Sequence, residues 1–143
     1  MTIVPIYAHK HVVLPEEIDT LGHVNNLNYL KWMLSAAVGH STANGWPPER
    51  YREIHSAFVV RSHQVEYLQP AFAGDEVVVH TWVSCFNKVT CQRRYKTVRA
   101  KDGVVLTTGK TGWVFLGLKP YQPRRIPPEL AAAFVLVPPE EEP

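Results

Sequence analysis

Residues 16–33 read EEIDTLGHVNNLNYLKWM, a cluster of polar groups that runs directly into an apolar segment. The run from Asn25 to about His40 has the periodicity of an α-helix. Its polar stripe consists of only four residues, at spacings of three and four: Asn28, Lys31, Ser35 and Gly39. A helix with so narrow a polar face is covered on most of its sides in a folded protein. The stretch therefore predicts a central, largely buried helix with reactive polar groups at its start.

The rest of the chain is rich in strand patterns. A first strand is expected at residues 10–18, ahead of the helix. Four further strands are expected after it, at residues 56–68, 76–86, 89–100 and 104–118. Asp102-Gly103 is a strong hairpin signal, because such a pair accepts the positive φ of a tight turn. The sequence thus predicts an α+β fold in which a curved antiparallel β-sheet wraps around one long central α-helix.

Composition restricts the functions that the chain can have. With 143 residues, 45% hydrophobic and 20% charged, it has the length and make-up of a single globular domain over residues 1–143. The net charge of +2 is too weak to indicate nucleic-acid binding. We expect no membrane partner and a cytoplasmic location, because no apolar run reaches about 18 residues and the N-terminus lacks a signal-peptide pattern.

Two smaller features give expectations of their own. Cys85 and Cys91 do not form a CxxC pair, so we expect two reduced thiols and no metal site. Residues 128–143 form a tail rich in proline and glutamate, in which we expect one short helix, within residues 127–134, followed by a charged and loose end.

The polar cluster has the chemistry of a site for a carbonyl group. Asn25 or Asn26 is a preferred N-cap, and the helix start carries about half a positive charge. Backbone N–H groups at or near Gly22 to Val24 would bind a developing oxyanion, and Asp19 would act as base or nucleophile. His23 would donate a further hydrogen bond. The alternative from the residues alone is a capping loop in which Asp19 and the asparagines only satisfy helix N–H groups.

The stretch DTLGHVNNLNYL resembles the active-site loop of hotdog-fold acyl-CoA thioesterases, the 4-hydroxybenzoyl-CoA thioesterase-like superfamily, whose pattern is D-x-D-x-x-G-H-V-N-N-x-x-Y. Glu17 stands at the first acid position and Asp19 at the second. Six further positions match the pattern: Gly22, His23, Val24, Asn25, Asn26 and Tyr29. A second segment, residues 59–83, resembles another recurrent segment of the family, and the resemblance extends over residues ~8 to ~120.

The resemblance implies roles for these residues. Asp19 would be the catalytic carboxylate, as nucleophile or general base, and the backbone amides of Gly22, His23 and Val24 would form the oxyanion hole. The substrate would contact Asn25, Asn26 and Tyr29. The loop also resembles that of plant-type acyl carrier protein thioesterases, but Leu21 replaces their asparagine. His23 is retained as a candidate polarising group.

Basic residues offer binding positions for the phosphates of coenzyme A. Arg93 and Arg99 fall on one face of an alternating strand, and Arg61 lies on an earlier strand. We expect these three to contact the substrate, the alternative being solvated strand faces.

The sequence therefore predicts an acyl-CoA thioester hydrolase without a cofactor, acting as a homodimer or homotetramer. The alternatives are hydrolysis of acyl carrier protein thioesters and non-catalytic binding of acyl-CoA.

Overall fold

The sheet and the central helix are both present in the computed structural model, which describes residues 2–143. The long helix α1 spans Asn26–Ala43. Six strands surround it: β1 (Tyr7–Val12), β2 (Ser56–Tyr67), β3 (Glu76–Phe86), β4 (Thr90–Arg99), β5 (Val105–Leu118) and β6 (Tyr121–Pro123). Two short helices complete the fold, α2 (Pro48–Glu53) and α3 (Pro128–Ala131).

All strand pairs are antiparallel, in the order β1-β3-β4-β5-β2, with β6 paired to the end of β5. The sheet curves around α1, so the predicted hotdog fold is confirmed. β2 pairs only with β5 and forms one edge of the sheet. That edge is 12 residues long and has a register shift between Val60 and Ser62.

The structure corrects the first predicted strand and adds two elements. β1 ends at Val12 rather than continuing to residue 18, because Pro15 lacks an N–H for the ladder and starts a 3-10 turn instead. The segment after α1, expected only to stop the helix, contains α2. The strand β6 was also not anticipated.

Two apolar clusters fill the concave side of the sheet. The first packs Met33 and Ala36 of α1 against Val79, Tyr95 and Leu106 of the strands. The second lies near the C-terminal end of α1 and is built around five buried residues: Trp46, Val83, Phe115, Leu130 and Phe134.

The short helix expected in the tail is present as α3, but the chain stays packed beyond it, further than predicted. Leu130 and Phe134 are buried in the second cluster, and the Val137 N–H donates to the Val83 carbonyl at 3.0 Å. This segment packs because its apolar residues close the end of the sheet that α1 leaves open. Within the described part of the chain, none of the helices has the length and apolar character that crossing a membrane requires.

Candidate active site

The segment from Glu17 to Asn25 folds back on itself just before α1. The Asp19 N–H donates to the His23 carbonyl at 2.9 Å, and the Asn25 N–H donates to the Glu17 carbonyl at 2.9 Å. Ile18 and Val24 form a β-bridge between them. Gly22, at φ 85°, makes the turn at the tip, in a conformation that favours glycine. This loop therefore places Asp19 opposite His23 at the start of the helix.

Asn25 caps α1 as the sequence predicts. Its side-chain oxygen accepts the Leu27 N–H at 2.9 Å, and its carbonyl accepts the Asn28 N–H at 2.9 Å. Asn26 is the first helical residue, and its backbone N–H has no acceptor within residues 2–143. That N–H lies at the positive end of an 18-residue helix, where an anion or oxyanion is stabilised.

Only part of the Asp19 carboxylate is used within the loop. Its Oδ1 accepts the Leu21 N–H at 2.8 Å, which closes a local turn. Its Oδ2 makes no hydrogen bond to any described residue, and the side chain is half-buried. One carboxylate oxygen is therefore available beside the helix start.

Two of the three predicted oxyanion donors already have backbone acceptors in this structure. The Gly22 N–H donates to the Asp19 carbonyl at 3.1 Å, and the Val24 N–H donates to the Ala71 carbonyl at 2.9 Å. The His23 N–H, like that of Asn26, has no acceptor among residues 2–143. The free donors of the loop are therefore the backbone amides of His23 and Asn26. The His23 ring is half-buried, with Nδ1 3.5 Å from the Val24 carbonyl, which is at the limit of a hydrogen bond.

Glu17 has a positioning role that the sequence did not reveal. Its carboxylate accepts the Leu14 N–H at 2.8 Å and the Trp32 indole N–H at 2.9 Å, and its Oε1 lies 2.7 Å from His11 Nε2. Burial alone would raise the pKa of Glu17, but these hydrogen bonds outweigh burial and lower it. Glu17 thus ties the loop to β1 and to α1. The sequence alone does not show this role, because Trp32 lies 15 residues from Glu17 along the chain.

Tyr29, predicted to contact substrate, lies inside the fold, and its contact with substrate stays a prediction. Its side chain is 2% exposed, and its hydroxyl accepts the Ala71 N–H at 3.0 Å. Tyr67 comes closer to the helix start, with its hydroxyl donating to the Asn26 carbonyl at 3.3 Å. Tyr29 therefore links α1 to the segment at Ala71, and the half-exposed ring of Tyr67 packs edge-on against the Tyr29 ring.

The three predicted phosphate-binding arginines have separate environments. Arg93 and Arg99 do share a strand face, but it is the inner one, because Arg93 is 5% exposed and follows the burial alternation of β4. Arg93 donates to His40 and Thr81 inside the fold, so the alternative of a solvated face is wrong for it, and its contact with substrate stays a prediction.

Arg99 forms ion pairs with Asp75 at 3.3 Å and Asp102 at 3.0 Å, which leaves it poorly suited to hold phosphate. Arg61 is exposed at the register shift of β2 and forms no ion pair within residues 2–143. Of the three, Arg61 alone is placed to meet a charged ligand in solvent.

Known proteins share both the sequence pattern and the fold. Residues 13–134 match the family model of the thioesterase-like superfamily. A 1,4-dihydroxy-2-naphthoyl-CoA thioesterase from Synechocystis superposes with a TM-score of 0.83 at 16% identity, over 90% of this chain and 94% of that one. No curated protein matches the chain significantly.

Two proteins from Staphylococcus aureus are similar in structure. A thioesterase for DHNA-CoA has a TM-score of 0.83 at 21% identity, over 90% of this chain and 87% of that one. A hypothetical protein in complex with CoA has a TM-score of 0.85 at 14% identity, over 93% and 84%.

Proposed function

The chain belongs to the thioesterase-like superfamily, and we propose that it hydrolyses acyl-CoA thioesters to a free carboxylic acid and coenzyme A. The observation that carries the proposal is the loop before α1, which pairs Asp19 with His23 through the backbone and leaves the Asp19 Oδ2 and the backbone N–H groups of His23 and Asn26 without a partner among residues 2–143. The thioesterases and the CoA complex among the similar structures support the choice of substrate.

The chemistry needs a group that attacks or activates water and donors for the oxyanion. Asp19 supplies the first, either by bonding its carboxylate oxygen to the thioester carbon or by taking a proton from an attacking water. The Asn26 N–H, aided by the His23 N–H, stabilises the negative charge that develops on the carbonyl oxygen when the carbon is attacked. That charge returns to the carbonyl as the C–S bond breaks, and coenzyme A leaves as a thiolate that takes up a proton. In the covalent route, water then hydrolyses the anhydride formed with Asp19 and releases the free acid. Asn25 and Glu17 keep the loop in this geometry through the hydrogen bonds described above.

Replacing Asp19 by asparagine tests this function. The amide keeps the oxygen that closes the turn with Leu21, but it neither attacks a carbonyl nor takes a proton. We expect kcat to fall by at least about 10²-fold with little change in melting temperature.

A matched control is Asp102→Asn, because Asp102 Oδ1 also accepts a backbone N–H two residues on, that of Val104, at 3.1 Å. This variant should keep its kcat. If Asp19→Asn hydrolyses its best thioester as fast as the unmodified protein, the loop is a helix cap and the enzymatic proposal is wrong.

The two alternative functions give different results in the same assay. Thiol release is measured with short, long and aromatic acyl-CoAs and with the matching acyl carrier protein thioesters. Faster release from the carrier protein would assign the second substrate class. Tight binding of acyl-CoA without thiol release from any thioester would assign a non-catalytic binder.

Arg61 is proposed to bind the phosphates of coenzyme A. Arg61→Ala should raise KM several-fold and leave kcat unchanged, and added salt should weaken the effect because an exposed charge is screened. An unchanged KM would leave Arg61 as a solvated residue.

We further propose that two copies pair through the β2 edge. On its outer side, the 12-residue strand β2 pairs with no other strand of the described chain. Long exposed sheet edges are normally covered in native proteins. Exposed apolar side chains lie on this strand or directly after it: Val60, Tyr67 and Leu68. Light scattering at micromolar concentration should give at least twice the 16.2 kDa chain mass. A monomeric mass would refute the pairing.

A further inference from the structure

A cavity lies near the C-terminal end of α1, away from the Asp19 loop. Its volume is about 320 Å³, and its walls come from the second half of α1, from α2, from β2–β5 and from Phe134. Six aromatic side chains line it: Trp46, Tyr51, Phe58, Phe86, Trp113 and Phe134. Such a volume is at the low end for small-molecule sites. We call it the α1 C-terminal pocket.

This pocket is distinct from the candidate active site of the same chain. Ala37, the first α1 residue in its wall, lies about 16 Å along the helix from Asn26 at 1.5 Å per residue. No residue of the 17–25 loop lines it.

The charged groups of the pocket are all cationic. Arg93 and Arg52 line it, and no aspartate or glutamate of the described chain does. Arg52 is exposed at the mouth, whereas Arg93 is 5% exposed and lies inside. The pocket therefore combines an apolar wall with a buried positive charge.

Arg93 has only neutral partners. Its Nη1 donates to His40 Nδ1 at 2.8 Å and to Thr81 Oγ1 at 3.1 Å, and it takes part in none of the ion pairs among residues 2–143. His40 accepts through Nδ1 because its Nε2–H donates to the Val4 carbonyl at 2.6 Å, so the imidazole is neutral.

Both hydrogen bonds of Arg93 use Nη1, so its Nε and Nη2 donors have no protein acceptor in the described chain. A guanidinium presents these two nitrogens as a fork that matches a carboxylate. A buried charge without a counter-ion is costly, and an anion that enters the pocket relieves that cost.

From this arrangement we propose that the α1 C-terminal pocket binds a small apolar monocarboxylic acid, with its carboxylate on Arg93 and its hydrocarbon body against the aromatic wall. The proposal does not depend on the hydrolysis of thioesters, because the site lies apart from Asp19.

The first test compares two ligands of the same shape on the unmodified protein by calorimetry. Octanoate carries the charge that Arg93 would recognise, and octanamide does not. We expect octanoate to bind at least about tenfold more tightly, since a charge-assisted pair of hydrogen bonds is lost with the amide. Equal affinities, or no binding of octanoate, would overturn the proposal.

Two variants locate the ligand. Val38 is 52% exposed and lines the pocket, so Val38→Trp should obstruct it and weaken octanoate binding at least about tenfold. Leu27 is an equally accessible apolar residue of α1, 66% exposed, but it lies beside the Asp19 loop. Leu27→Trp should leave octanoate affinity unchanged. The reverse pattern would place the acid at the candidate active site and refute the pocket.

Arg93→Met is the direct variant and should abolish the preference for octanoate over octanamide. Full preference in a folded Arg93→Met protein would overturn the role of Arg93. If this variant does not fold, the ligand pair and the two tryptophan variants still decide the proposal. Neither result depends on thiol release, so the failure of this inference is distinguishable from failure of the proposed hydrolysis.

Discussion

Acidification should destabilise the protein through His40, well above the pH at which carboxylates titrate. Burial, together with the positive charge of Arg93, lowers the pKa of His40 from 6.5 to about 4. The ring is 1% exposed and lies between Tyr7, stacked at 5.9 Å, and Phe134 at 5.1 Å. Protonation would add a second cation against Arg93 and replace the Nδ1 acceptor by a donor.

The sign and size of the effect follow from proton linkage. Between pH 6.5 and 4 the unfolded chain binds a proton at this histidine and the folded chain does not, so the free energy of unfolding decreases as the pH falls. With these pKa values, the decrease between pH 7 and pH 5 is about 2 kcal/mol. Glu17, whose pKa is lowered, contributes only below about pH 4.5 and does not enter this window.

Urea unfolding at pH 7 and pH 5, at one fixed protein concentration, measures the difference. The variant His40→Gln should lose most of it, whatever its stability at pH 7. His80→Gln is the matched control, because His80 also has a pKa lowered by burial but is only half-buried, and it should retain most of the decrease. His9 and His63 also have a pKa lowered by burial, so a small decrease is expected to remain in His40→Gln. A free energy that is constant from pH 7 to pH 5, or a decrease in His40→Gln as large as in the unmodified protein, would refute the assignment.

Two further predictions concern packing. Burial raises the pKa of Cys91 to about 12, whereas Cys85 is exposed. A thiol reagent at pH 8 should therefore modify one cysteine in the folded protein and both in denaturant. Rapid modification of both cysteines in the folded protein would contradict the burial of Cys91. A Cβ at Gly39 would lie 2.7 Å from the Tyr7 hydroxyl, so Gly39→Ala should lower the free energy of unfolding by about 1 kcal/mol or more despite alanine's higher helix propensity. Thermal unfolding checks this, and adding Tyr7→Leu should restore part of the loss if the clash is the cause.

The sequence predicted the elements whose signals are local. The narrow polar stripe predicted a covered α1, and Asn25 marked its start to within one residue, because the cap is a contact over two positions. The hairpin at Asp102-Gly103 is present, with Gly103 at φ 70°. These features depend on neighbouring residues only, so one sequence suffices to find them.

The arginines show where such reasoning fails. Alternation correctly placed Arg93 and Arg99 on one face of β4, but it does not say which face is inside. From its charge we expected Arg93 to contact substrate or solvent, whereas His40 and Thr81, 53 and 12 residues away, hold it within the fold. The tail shows the same limit, because the carbonyl of Val83 that binds Val137 is far away in sequence.

In the polar cluster before α1, the atoms that cap the helix differ from those assigned to the proposed chemistry. Capping occupies the Asn25 side chain, Glu17 anchors the loop, and the N–H groups of Gly22 and Val24 satisfy backbone carbonyls. What is left is small: one oxygen of Asp19 and the N–H groups of His23 and Asn26. These are the groups that thioester hydrolysis requires, a nucleophile or base and donors for the oxyanion. The capping and catalytic interpretations of the sequence are therefore compatible, because the hydrogen bonds of the cap hold the remaining groups in place.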